Sequence, residues 1–210
     1  MKSKGFWWFI SVIGVLVAAL GIGSRAQVST PTHFSGLIND YTPMSNVGGP
    51  WEIRGVWTLN LEEETHMARF SAVLNMEHSD LWVQLFPTDA HGLPTADNPG
   101  DRVPHTHHIR MTGGTIIYNP TDCPNFPSSS PIPRIEVTGP ATIAANGGPF
   151  PPSGAVSSQL QVCIDGGTAV GAVVPYSNVT LVFGAPATGH FGPQAIHGVV
   201  RVASGGGEDD

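Results

Sequence analysis

From Trp51 to Leu61 the chain alternates: Trp51, Ile53, Trp57, Leu59 and Leu61 fall on one side, and Glu52, Arg54, Thr58 and Asn60 on the other. A helix repeats its apolar stripe every three to four residues, so a period of two commits the segment to a strand with one face on a core and one in water. The next segment, Met67 to His78, repeats the pattern, with Ala68, Phe70, Ala72, Leu74, Met76 and His78 facing Arg69, Ser71, Asn75 and Glu77 across the strand. Gly55 falls on the apolar side of the first segment, where a bulge or bend is the usual meaning of a strand glycine.

The rest of the chain shows almost no helical periodicity. The full chain's 19 prolines and 26 glycines separate short runs rich in Val, Ile, Thr and aromatics. The expected strands are Phe34 to Tyr41, Trp51 to Leu61, Met67 to His78, Leu81 to Phe86, His107 to Thr112, Thr115 to Tyr118, Arg134 to Ile143, Gln159 to Ile164, Ser177 to Phe183 and Gln194 to Val202. The glycine pair in Thr112-Gly113-Gly114-Thr115 predicts a tight hairpin. Long Pro/Gly-rich loops are expected over Pro87 to Pro104, Asn119 to Pro133 and Ala144 to Ser157. The pattern predicts an all-β fold, a single antiparallel β-barrel of about eight to ten strands, with a two-sheet sandwich as the alternative. The barrel is preferred because an open sheet would expose edges that this lysine-poor sequence does little to protect.

The amino terminus carries an address. Lys2 and Lys4 precede an apolar run from Phe6 to Gly23, and Ser24-Arg25-Ala26 has the small residues that signal peptidase requires, so residues 1–26 are expected to be a secretory signal. An uncleaved anchor is the alternative, since the run just reaches the lower limit of about 17 to 25 residues for a bilayer span. Gly14, Gly21 and Gly23 weaken that alternative. The expected organisation is then a single β domain over residues 27–203 and a disordered tail of glycines and acids over 204–210, in a secreted or periplasmic protein.

Without the signal the chain has six basic residues, all arginine, against 16 acidic ones. That balance argues against nucleic acid as a partner, because duplex affinity comes from cations neutralising phosphates. It argues equally against anionic lipid, so no membrane partner is expected once the signal is removed. Cys123 and Cys163 are the only cysteines and have no metal-type spacing, so in an oxidising compartment they are expected to form a disulfide.

Pro104-His105-Thr106-His107-His108 is the densest chemical feature. On a strand, His105 and His107 share the face that continues through Ile109 and Met111, and His108 turns away with Arg110. Such an H-x-H pair places two imidazoles where one ion can reach both, and Zn or Cu suits imidazole donors. His78, at the end of an apolar face, is the expected third ligand; His190, in Gly189-His190-Phe191-Gly192, and His197, in the last strand, are further pocket candidates. The alternative is a hydrogen-bonded histidine cluster without metal. Asn178-Val179-Thr180 matches a glycosylation sequon and is explained equally well by a strand.

The sequence has no G-x-S-x-G elbow, P-loop or dinucleotide fingerprint. Three function classes follow. The first is a binding module for a small ligand or metal ion at a histidine-lined site, the second a metal-dependent or acid/base enzyme using the same histidines, and the third a structural or adhesive envelope protein.

Overall fold

The computed structural model describes residues 30–42, 51–78, 104–124, 132–147, 150–151, 154–169 and 172–205. The segment of residues 31 to 205 forms a closed, eight-stranded antiparallel barrel in simple up-and-down order: β1 (His33–Tyr41), β2 (Trp51–Glu62), β3 (Met67–His78), β4 (His105–Tyr118), β5 (Ile135–Asn146), β6 (Ala155–Ala169), β7 (Ala172–Phe183) and β8 (Ile196–Ser204). β1 pairs with both β2 and β8, which closes the sheet and leaves no free edge. Among the described residues no helix is long and apolar enough to cross a membrane.

The two-residue period does what it predicted. Trp51, Ile53, Trp57, Leu59 and Leu61 of β2 are buried inside, and Arg54 and Asn60 face solvent. Phe34, Phe70, Met111, Leu160 and Leu181 arrive from other strands to fill the lumen. Full burial of a side chain of this size contributes about 1.5–3 kcal/mol.

Four expectations need correction. The glycine pair after Thr112 is not a hairpin: β4 runs through it as one strand, and its register against both β3 and β5 shifts by one residue there. Buried positions are odd-numbered from His105 to Met111 and even-numbered at Gly114 and Ile116, as an inserted bulge residue requires. A side chain at Gly114 would collide with Met111 and Val137, so only glycine lets the walls close there. Gly55 is not a bulge either, because β2 pairs with β3 without a register shift; an added Cβ would strike the Val73 carbonyl, so the glycine permits close backbone approach. Finally, β5 and β6 extend well into the expected loop Ala144 to Ser157, and Ser204 ends β8 rather than opening a tail.

The expected strand Leu81 to Phe86, most of the loop Pro87 to Pro104, the expected signal and residues 206–210 lie outside the described residues.

Antiparallel order gives the barrel two distinct ends. One gathers the ends of β1, β3, β5 and β7 with the starts of β2, β4, β6 and β8, and so carries Trp51, His105 and His107. The other gathers Leu61, Met67, Tyr118, Ile135 and Ile164. There Cys123 and Cys163 are joined in a disulfide, Cα to Cα 5.8 Å. Val162 and Ile164 point into the barrel, so Cys163 stands on the outer wall, and the bond holds the segment after β4 against that wall.

Candidate metal centre

His105 and His107 project from the inner face of β4 as the alternation requires, buried beside Ile109 and Met111, with His108 exposed outside. Their rings meet edge to face with centroids 4.8 Å apart. His190 is brought to them by α1 (Thr188–Phe191), a single helical turn between β7 and β8. Local bonds build that turn: the Thr188 N–H donates to the Gly184 carbonyl at 3.0 Å, the His190 and Phe191 N–H groups to the Ala187 carbonyl at 2.9 Å, and the Thr188 hydroxyl to the Phe183 carbonyl at 2.9 Å. Phe191 stacks on Phe183 at 4.4 Å between centroids and anchors the turn in the barrel mouth. His190, its neighbour, is thereby directed at the β4 histidines.

The three Nε2 atoms converge. His190 Nε2 lies 2.9 Å from His107 Nε2 and 3.2 Å from His105 Nε2, and one nitrogen from each ring falls within 4.8 Å of the others. Tetrahedral zinc with bonds of about 2.0–2.1 Å sets ligand nitrogens about 3.3 Å apart. A neutral ring nitrogen donates one hydrogen or accepts along one lone pair, so His190 Nε2 cannot satisfy both neighbours well. A cation between the rings would accept all three lone pairs at once. His107 Nδ1 is buried with no hydrogen-bond partner among the described residues, so Nε2 is the atom through which this ring must be satisfied.

Burial also sets the protonation state. It lowers the His107 pKa to about 2, with the neighbouring imidazoles His190 and His105 adding to the effect, and it lowers the His190 pKa to about 4 with help from His105. Both rings are neutral at pH 7 and present lone pairs to a metal without first losing a proton.

Aromatic side chains enclose the group. Phe150 stacks on His190 with centroids 5.2 Å apart and planes 16° from parallel, Phe191 lies edge-on to His107 at 4.9 Å, and Trp51 lies edge-on to His105 at 5.0 Å. Trp51 is itself fixed by its N–H to the Thr42 hydroxyl at 2.8 Å and by the Thr42 N–H to its carbonyl at 2.9 Å. Among the described residues no carboxylate or thiolate joins the three imidazoles.

Two further candidates are His78 and His197. His78 pairs with Trp51 at the end of β3, and its side chain lies outside the described residues. His197 sits on the outer wall, where its Nδ1 and backbone N–H meet Asp40 Oδ2 at 2.9 and 2.7 Å, so it does not belong to the cluster. Asn178 of the sequon donates to buried Asp165 at 3.0 Å. Phe150 had no signal in the sequence beyond being an aromatic in a loop.

Comparison with protein-family models, curated proteins and solved structures finds no match to this chain. Fold and site define a closed β-barrel with a buried cluster of three histidines that could bind a metal ion.

Proposed function

We propose that this protein is an extracytoplasmic metal-binding barrel that holds one zinc or copper ion through Nε2 of His105, His107 and His190. The convergence of three imidazole nitrogens on one point carries the proposal. The Cys123–Cys163 bond accords with an oxidising compartment, which the amino-terminal sequence also suits. A metal ion fits better than an organic ligand in the lumen, because Phe34, Trp57, Leu59 and Phe70 already occupy it.

A metal-dependent enzyme is the second reading. Three protein ligands leave one tetrahedral position for water or substrate, as in catalytic zinc sites. Binding is preferred because His105, His107 and His190 are only 4%, 0% and 8% exposed, which leaves a substrate little approach. Titration of the metal-free full chain with Zn(II) and with copper should show saturation at one ion per chain. Failure of both ions to bind above the level of a random-coil control would remove the proposal.

A further inference from the structure

We infer that the histidine site is built for monovalent copper rather than a divalent ion, with the Met76 thioether as a soft donor beside the imidazoles. The inference rests on the metal-binding reading above and adds the identity of the ion.

Charge is the first argument. The three donors are imidazoles, which bring no negative charge to a bound ion, and the described residues supply no carboxylate or thiolate to the group. The surroundings are rings: Trp51, Phe150 and Phe191. The cost of burying an ion grows with the square of its charge, so a divalent ion bears roughly four times the penalty of a monovalent one in the same site. Catalytic and structural zinc sites commonly offset this with thiolate, carboxylate or a bound hydroxide. A neutral, enclosed donor set favours the ion that needs no such compensation.

Position of Met76 is the second, independent argument. It is the direct cross-strand partner of His105 in the β3–β4 ladder, and both side chains point inward. Met76 is wholly buried and His105 is 4% exposed. Directly opposed residues place their Cβ atoms about 4.5–5.5 Å apart, and methionine has three rotatable bonds with which to swing its sulfur toward the neighbouring ring's ligand atom. Thioether sulfur selects Cu(I) and contributes little to zinc. The registry therefore sets a soft donor beside the imidazole in the same layer.

The test is a competition on the full chain under anaerobic conditions, using Cu(I) and Zn(II) each held by a chelator of known affinity, on wild type and on Met76→Leu. Leucine conserves volume, so folding should be kept at a loss below about 1.5 kcal/mol, which a melting curve checks. The expected result is one Cu(I) per chain, bound at least roughly 10³-fold tighter than Zn(II), with the ratio narrowing roughly 10- to 100-fold in Met76→Leu. X-ray absorption of the Cu(I)-loaded wild type should show nitrogen donors and one sulfur, the sulfur disappearing in the variant. Tighter Zn(II) binding, or a copper site with no sulfur, overturns the inference and leaves the metal-binding reading standing. Binding of neither ion overturns that reading itself.

Discussion

The two ends of the barrel solve one problem with different chemistry. At the histidine end a single hydrogen-bonded helical turn and stacked aromatic rings hold three imidazoles together without a covalent link. At the opposite end a covalent bond pins a segment to the outer wall beside Glu136, and Asp165, two residues beyond Cys163 on β6, is wholly buried. Burial drives His107 and His190 at one end, and Asp165 at the other, toward the neutral form. The imidazoles lose their positive charge, and Asp165 is pushed up to about 6 by burial, against the opposing effects of the Asn178 hydrogen bond and the nearby Arg134 charge. Identical desolvation thus gives the two ends opposite responses to pH.

The largest effect should come from cutting the covalent end. Replacing both cysteines by serine opens a loop spanning a sequence separation of 40 residues, with an expected loss of about 4 kcal/mol in the chain-entropy description. Urea unfolding measures it. Metal affinity should stay within a factor of about two, because the ends share no ligand; a collapse of affinity would show that they are not independent.

Acidification separates the ends by sign. His190 has a folded pKa of about 4, below its unfolded value near 6.5, so the unfolded chain binds the proton first and stability falls as pH drops through that window. For metal-free protein the expected loss from this group is about 3 kcal/mol between pH 6.5 and 4. Asp165 runs the other way: its folded pKa of about 6 exceeds the unfolded value near 3.9, so stability is present below the unfolded value and lost as pH rises through the folded one. Asp165→Asn should remove that loss, about 2 kcal/mol, and steepen the net fall in stability on acidification between pH 6 and 4. An unchanged pH profile in Asp165→Asn would contradict the assignment. Phe150→Ala, which removes the ring stacked on His190, should cost about 1 kcal/mol, and it should weaken metal binding more than the cysteine variant does.

Much of the fold was legible wherever one strand face meets water. β2 and β3 alternate cleanly, and their expected bounds match the observed ones to within a residue. Legibility failed where the alternation carried an interruption. In β4 the bulge at Gly113 reverses the inward parity, which splits one strand into two apparent ones. In β6 the inward position 158 is a serine whose hydroxyl donates to the Gly184 carbonyl at 2.7 Å, a polar residue satisfied by the turn that carries His190, so the start of the strand has no apolar signature.

The site was half legible for the same kind of reason. His105 and His107 are two residues apart on one strand, and local periodicity orients them. His190 is 85 residues from His105, and only closure of the barrel and the packing of Phe191 on Phe183 bring it there. Sequence marked it as a pocket residue without ranking it above His78 or His197. The Asp40 partner that holds His197 on the outer wall is likewise a contact between distant strands, 157 residues apart.

The most direct measurement compares metal binding by the wild type, His190→Ala and His197→Ala, each as the full chain under equilibrium dialysis at pH 7. Wild type and His197→Ala should bind one ion with equal affinity, and His190→Ala should bind at least roughly 100-fold more weakly, with the barrel's circular dichroism retained. Wild-type affinity in His190→Ala, or loss of the ion in His197→Ala, would contradict the three-histidine centre.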